Sequence, residues 1–497
     1  MGMPFTIPPA TAVPLQPGFI TDINNCYAAE SAIAGINVLN SAYSGGADPS
    51  GVADSYAAIQ AALTAASSAT APTVYVPAGT YIVSQALSIP GGVTVRGDGP
   101  SDSIIKMKNA VNQACVAASA GWAASTATTS INPIVLRDLT FDANQANQSS
   151  GAGHGVVLQS YYTLVQNCVF QNTRGDGLRF DQLGANGTTA ISNTMVENRI
   201  RDCAFRANGA NGFNVNDPTH NTITDGWIED CAVQGSTLAG ITIGSGAGWL
   251  VAGNHVYSIG GSAIAVNRMF QTRVTGNYIE SCGASATSGF YFLIDAANGQ
   301  VSDTGFGSVI SANVGYFLGP AGNVGSTIGG IVVQSATGGT ANVAITGNQL
   351  FCSGASGLPG IWLQNQSGTA SVNAAVTGNV LNGWTTPVQL VANGGPMTIN
   401  SQVYGPLDVT VAGAGLQVAE GSNAKQGTVT MNGTTAVVVS TTAVTANSRI
   451  FLSINTQAGS GPGVPYVSAR TAGTSFSVKS TVVGDTSVVA YEIIEPG

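Results

Sequence analysis

One short phrase recurs eight times between residues 155 and 364, and a chain that repeats a strand-length phrase has few folds open to it. The phrase is a Gly or Ala followed by alternating places. It reads Gly155-Val-Val-Leu-Gln159, Gly177-Leu-Arg-Phe-Asp181, Gly212-Phe-Asn-Val-Asn216, Gly240-Ile-Thr-Ile-Gly244 and Ala263-Ile-Ala-Val-Asn267. It continues as Gly289-Phe-Tyr-Phe-Leu293, Gly330-Ile-Val-Val-Gln334 and Gly360-Ile-Trp-Leu-Gln364. The second and fourth places are hydrophobic throughout, which is strand periodicity. Successive copies begin 22 residues apart at the closest (Gly155 to Gly177) and 41 at the widest (Gly289 to Gly330), a solenoid spacing. Each phrase is therefore expected to form one rung of a parallel β-helix. The third and fifth places would line up as one continuous outward face.

A second repeat runs between the phrases: a hydrophobic residue, then Asn or Asp, then another hydrophobic residue. Copies centre on Asp138, Asn167, Asn198, Asp225, Asn254, Asn277, Asn348 and Asn379. Asn and Asp accept left-handed backbone and bond to nearby main-chain groups, so these positions are read as one corner repeated on every coil. Gly253, Gly276, Gly347 and Gly378, each just before an Asn, supply the same freedom.

Charged residues make up only 8 % of the chain while 44 % is hydrophobic, and the periodicity of the latter argues for a packed β protein over disorder. A single solenoid absorbs most of the 497 residues, a length otherwise implying several domains. Its surface must be covered largely by Ser, Thr, Asn, Gln and Gly, which suits a neutral hydrogen-bonding partner such as a polysaccharide. The net charge of −9, with no run of Lys or Arg, lacks the basic footprint of a nucleic-acid binder, so no such partner is expected. No apolar stretch is long enough for membrane insertion. Seven scattered cysteines give no disulfide framework, and Cys203, Cys231 and Cys282 are expected to stack as small buried side chains on successive coils. The three histidines fall in no zinc pattern, and neither metal nor cofactor is expected. The opening residues, Met1-Gly-Met-Pro-Phe-Thr-Ile-Pro-Pro9, lack the basic and apolar regions of a conventional signal peptide. A virion-tail or extracellular location is therefore expected to be reached without such a peptide, release by lysis being one route.

Residues 1–40 carry Pro at positions 4, 8, 9, 14 and 17 and are too few for their own core, so they are read as a leader or attachment segment. Next come Gly46-Ala-Asp48 and a helix near 54–66 with Asp54 as its N-cap and an apolar stripe at Ile59, Ala62 and Leu63. Thr73-Val-Tyr-Val-Pro-Ala-Gly-Thr-Tyr81 reads as two strands about a Pro-Ala-Gly turn, and Gly91 to Gly99 as a further strand and turn. In this order, these elements resemble the opening of the pectate-lyase-like superfamily of right-handed parallel β-helices. The resemblance implies an all-β fold in which residues 41–394 form the β-helix and the helix covers its hydrophobic end. That superfamily includes polysaccharide lyases, glycoside hydrolases, uronate epimerases and phage tailspikes, so it implies a polysaccharide partner and leaves the reaction open.

Residues 395–497 drop the coil pattern for short strands between Gly, Thr and Asn turns, the signature of an antiparallel β-sandwich-like module. It is similar to modules that end β-helices in phage tail proteins. The similarity implies a trimerisation or binding role, a homotrimer, and attachment to a virion tail or baseplate through the N-terminal segment.

Polar and charged residues of the outward places concentrate between Arg179 and Arg268. Arg179, Asn214, Asn216, Thr242, Asn267 and Arg268, with Tyr291 and Trp362 as aromatic platforms, form the expected sugar-binding groove. Asp181 and Asp217 are expected on neighbouring coils, where carboxyls roughly 5–5.5 Å apart suit a retaining glycosidase and about 6.5–9.5 Å an inverting one. Asp295 adds a third acid. Asn216-Asp217-Pro218-Thr219-His220 resembles the Asp-Pro-His motif of alginate epimerases with a Thr inserted, which makes His220 a candidate base. Gly153-His154-Gly155 is similar to the Gly-His-Gly of polygalacturonases but lacks that family's upstream acids and is set aside. Asp176 is read as part of the turn before a strand.

The function expected is therefore a tailspike-like protein that binds and depolymerises polysaccharide in an outward groove, as glycoside hydrolase or polysaccharide lyase. A non-catalytic receptor-binding spike or fibre, or a free enzyme such as a uronate epimerase or fructan transferase, stands as the alternative.

Overall fold

This computed structural model describes residues 35–70, 72–129, 131–218, 222–244, 246–282, 290–294, 307–317, 329–336, 338–352, 359–384, 386–400, 420–421 and 423–496. Each coil consists of three short strands and three corners. The strands stack into three parallel sheets, with 13, 12 and 11 strands among the described residues. Within one coil the chain passes from sheet A (for example Val135–Arg137) to sheet B (Thr140–Asp142) and then to sheet C (His154–Leu158). The recurring phrases are consecutive strands of sheet C, in the expected register. Val157 pairs with Arg179, Arg179 with Asn214, Asn214 with Thr242 and Thr242 with Ala265. Ala265 then pairs with Tyr291, Tyr291 with Val332 and Val332 with Trp362.

The corner from sheet A to sheet B turns on one left-handed residue per coil. Asp138, Asn167, Asp202, Asp230, Gly253, Gly276, Ala312, Gly347 and Gly378 form this column, with φ from +49° (Asn167) to +66° (Gly276). The residue after it points inward. In the early coils that residue is Leu139, Cys168, Cys203 or Cys231, all buried. From Asn254 onward it is Asn, and the carboxamides join into a ladder. The main-chain N–H and Nδ2 of Asn254 both donate to Asn277 Oδ1, at 3.0 and 2.9 Å. Asn277 repeats this onto Asn313, and Asn313 onto Asn348, with Nδ2 also donating to a strand carbonyl of the preceding coil. Each buried amide is thereby satisfied where the chain bends away from the sheets.

Two readings of the sequence are corrected here. Asn198 and Asp225 belong to a different corner, the one entering sheet A, because Arg199–Arg201 and Trp227–Glu229 follow rather than precede them. Both corners carry the same hydrophobic–polar–hydrophobic pattern, so the pattern cannot separate them. Cys282 follows the left-handed Ser281 at the exit from sheet B, and the cysteine that stacks with Cys203 and Cys231 is Cys168.

Inward places fill the coil with apolar side chains. Phe141, Phe170 and Phe205 stack on successive coils at 5.7 and 5.3 Å, and Phe213 links them to the buried Trp249. Helix α1 (Tyr56–Ala66) turns Ala58, Ile59, Ala62, Leu63 and Ala66 into this core. Its cap residue is Ser55, one place later than expected, and Asp54 accepts the Tyr56 amide instead. No helix among the described residues is long and apolar enough to cross a membrane.

The chain divides into two compact units at residue 402. The second contains two three-stranded antiparallel sheets. One orders Gln426–Thr430, Val488–Ile494 and Arg449–Thr456, the other Val437–Ser440, Ser475–Ser480 and Pro465–Thr471. Val429, Met431, Val444, Phe476, Val478, Val489, Tyr491 and Ile493 form its core.

Replacing Asn277 by Ala strips the amide and carboxamide of Asn254 of their acceptor inside the coil. Each buried group so orphaned costs about 1–3 kcal/mol, so Asn277→Ala should lower stability by about 2 kcal/mol or more in urea unfolding. The exposed Asn382→Ala should change it by under ~0.5 kcal/mol.

Candidate functional site

Alternation decides which side chains leave sheet C outward, but neighbouring segments decide which of them meet solvent. Val157 and Val332 are fully covered although they occupy outward places, and Trp362 is only 8 % exposed. At the N-terminal end, helix α2 (Ala120–Ala123) sets Trp122 against Cys115, Ala118 and Val157. Residues 182–193 close beside it: Ala185 N donates to the Trp122 carbonyl at 2.9 Å, and Asn193 Nδ2 to Thr129 Oγ1 at 2.7 Å. The outward face is therefore a window rather than a continuous strip, and Trp362 is not an open platform. In the window Arg179, Asn216, Thr242, Ala265 and Asn267 are partly exposed, with Asp181 and Asn214 nearly covered among them.

A carboxylate network occupies the near end of this window. Arg179 Nε donates to Asp181 Oδ2 at 2.7 Å, and its Nη1 to Asp176 Oδ2 at 3.2 Å. Asp181 Oδ1 accepts from Asn216 Nδ2 at 2.7 Å and from Leu183 N at 3.0 Å. Asp176 Oδ1 accepts from the main chain and Nδ2 of Asn211, at 3.1 and 2.7 Å, and its Oδ2 from Asn214 Nδ2 at 2.8 Å. His154 Nδ1 accepts the Asp176 amide at 2.8 Å, which puts the proton of the neutral ring on Nε2. Burial is the largest influence on His154 and pushes its imidazole below the ordinary value. The Asp176 charge opposes this, Arg179 reinforces it and Asp181 opposes it. With neutral His154, the formal charge of Asp176, Arg179 and Asp181 is −1.

Asp217 and Arg268 lie elsewhere. Both occupy the sixth place, one step beyond the outward fifth, so by the same alternation they point inward, and each is only 2 % exposed. Asp217 Oδ2 accepts the amides of Thr222 and Ile223 at 2.8 and 2.9 Å, bracing the chain that leaves sheet C. Burial pushes its carboxyl up, while the Ile223 and Thr222 amides and the Arg268 charge pull it down. The groove positions expected for Asp217 and Arg268 are thus corrected by strand parity. His220 and Asp295 lie outside the described residues. Tyr291 sits in register in Phe290–Ile294, and its side chain is likewise outside them.

Three members of the network, His154, Asp176 and Asn211, were not among the candidates. Each immediately precedes the leading Gly of a phrase: His154-Gly155, Asp176-Gly177 and Asn211-Gly212. That column was legible as a repeated polar place, but it stood outside the frame that began at the Gly. Gly175 is required beside it, since a Cβ there would lie 2.6 Å from His154 Nδ1. Among the described residues no cluster of three or more His, Cys, Asp or Glu is arranged to hold a metal ion.

Comparison with known proteins adds the following. Residues 39–265 match the family model described as rhamnogalacturonase A/epimerase, pectate lyase-like. Residues 423–494 match that of the C-terminal domain of the K1 capsule-specific polysaccharide lyase. Mannuronan C5-epimerase AlgE4 of Azotobacter vinelandii is 28 % identical over 207 residues, covering 36 % of this chain and 36 % of that protein. The chain thus spans about a third of that relative's length. Among solved structures, a tailspike of E. coli bacteriophage HK620 superposes with a TM-score of 0.53 at 13 % identity, covering 94 % of this chain and 95 % of that one. The A-module of the Azotobacter epimerase AlgE4 gives 0.48 at 18 % identity, over 73 % and 100 %. At such identity the tailspike likeness speaks for the fold alone.

The network also implies a pH dependence. The His154 value is depressed from 6.5 on folding, so the folded state holds fewer protons than the unfolded chain in that range. The stability that depends on neutral His154 is present above pH 6.5 and is lost as pH falls through the folded value. Urea midpoints should therefore fall from about pH 7 to about pH 5, and His154→Gln should flatten that slope.

Proposed function

We propose, from the premise that this chain is a pectate-lyase-like parallel β-helix protein with the fold of a tailspike, that it binds a neutral polysaccharide across the sheet C window and cleaves it by hydrolysis. One observation carries the choice of substrate: the arginine at an outward place of this face, Arg179, is already matched by carboxylates, and Arg268 points inward. Arg179 serves both Asp176 and Asp181, and Arg268 is buried beside Asp217. A polyuronate would approach a site of net negative charge, whereas neutral sugar hydroxyls find carboxylate acceptors, amide groups and the His154 Nε2–H. Uronate elimination or epimerisation needs a cation aimed at the sugar carboxylate, so the geometry favours hydrolysis over both. Asp181 is assigned to the reacting centre with His154, and Asp176, covered and held by Arg179, Asn211 and Asn214, positions both. Arg179, Asn214, Asn216, Thr242 and Asn267 bind and orient the chain.

A binding-only receptor spike is the second reading, because both oxygens of Asp181 are already engaged by Arg179, Asn216 and Leu183. One experiment separates the readings. Asp176→Asn and Asp181→Asn should each lower reducing-end release from the cognate polysaccharide by about 10²–10⁴-fold with the fold intact. Products bearing the ultraviolet absorbance of an unsaturated uronide would overturn hydrolysis. Retention of polysaccharide by the wild type without any cleavage would establish the binding-only reading.

Attachment to a virion tail and homotrimer formation belong to the same proposal. Large apolar side chains lie exposed on the second unit, among them Val438, Phe451, Val464 and Val483, which supports assembly through it. Sedimentation should give a species near three chains, and Phe451→Glu with Val464→Glu should shift it toward the monomer.

A further inference from the structure

Sheet A carries a second polar recess, built from residues that the sheet C site does not use. Its outward places put Arg199, Trp227, Leu250, Arg273 and Val309 in register on successive coils. The left-handed corner ahead of them adds Glu197, Asp225, Gly248 and Gln271, with φ of +61°, +52°, +67° and +53°. Glu197 and Asp225 are stacked neighbours in that column, since the Glu197 amide donates to the Asp225 carbonyl at 2.8 Å. Gly248 is obligatory for two reasons: its positive φ, and a Cβ there would lie 2.1 Å from Asp225 Oδ1. Its missing side chain leaves room for the Asp225 carboxylate beside Trp227. The resulting cavity measures about 410 Å³ and is lined by Glu197, Asp225, Trp227, Gly248, Gln271 and Arg273. The Arg199 guanidinium lies 4.6 Å over the Trp227 ring and 3.7 Å from Glu197, which steadies the indole plane.

We propose that this recess is a second saccharide-binding site, taking one or two neutral sugar units. An indole covers the C–H face of a pyranose, Glu197 and Asp225 accept its hydroxyls, and Arg273 and Gln271 donate to its oxygens. The volume falls within the roughly 300–1,000 Å³ of small-ligand sites. The formal charges of Glu197, Asp225, Arg199 and Arg273 sum to zero, so no uronate is selected. The inference rests on the reading that the chain binds polysaccharide, but on a different face of the same coils. Two sites on one rigid solenoid hold a polymer by effective concentration, and the recess serves as an anchor rather than a reacting centre.

Affinity electrophoresis in gels containing soluble neutral capsular and O-antigen polysaccharides, with alginate as the polyuronate control, tests this. The proteins compared are the wild type, Trp227→Ala, Arg273→Ala and Asp181→Asn. The two recess variants alter partly exposed and exposed side chains, and circular dichroism verifies their fold. Trp227→Ala should weaken retention about tenfold and Arg273→Ala in the same direction, whatever Asp181→Asn does. Wild-type retention in both recess variants, with loss in Asp181→Asn, would overturn the anchor and leave the sheet C site standing. Loss in the recess variants alone would establish the anchor and remove binding from sheet C. Absence of retention of the wild type on every polysaccharide would overturn both.

Discussion

Left-handed backbone at one residue of each sheet A to sheet B corner, from Asp138 onward, is the constraint on which the rest of this molecule depends. A short strand must end, turn and hand over to the next sheet at the same height on every coil, or the parallel ladders fall out of register. At the corner between sheets A and B the chain uses Asp, Asn, Gly and once Ala for that residue. Gly has no Cβ to clash there, and Asn and Asp are the side chains that tolerate the conformation best. The inward residue that follows must then satisfy or avoid polar groups in a dry interior. Cys168, Cys203 and Cys231 avoid the problem by being small and weakly polar, and the Asn ladder from Asn254 solves it with paired donors and acceptors.

The site inherits its geometry from this stacking. Since neighbouring coils are locked, Asp176, Arg179 and Asp181 on one coil meet His154 from the coil before and Asn211, Asn214 and Asn216 from the coil after. Each carboxylate is held from at least two directions, so the constellation is preorganised by the scaffold rather than by loops. Parity then divides the polar residues of sheet C into two populations. Odd places look outward into the window, and the sixth place looks in, where Gln182, Asp217 and Arg268 are buried. Burying the Asp217 carboxylate costs desolvation, and its return is positional, since it braces the amides of Thr222 and Ile223 at the end of the strand.

The solenoid and the register of sheet C were legible in the chain because a period of two cannot slip by one residue without turning its hydrophobic places outward. The outward placement of Arg179, Asn214, Asn216 and Thr242 followed from the same frame. Asp217 and Arg268 depart from the groove expected for them because the sixth place points inward by the same parity. His154 and Asp176 gain their meaning as members of a column, which a local motif does not reveal. The two polar corners could not be told apart, since local pattern carries no information on which sheet follows.

What the sequence determined by itself is everything that repeats: the strand period, the pairing of like places and the corner chemistry, all of them local and reinforced on each coil. What only the tertiary structure decided is everything that depends on non-repeating neighbours. Trp122 and residues 182–193 cover outward places near one end, Val332 and Trp362 are covered further along, and Gly248 leaves room for Asp225 beside Trp227. Periodicity fixes where a side chain points, whereas exposure depends on what other segments lay over it. Those segments are joined to the face by contacts tens of residues apart that no local pattern encodes.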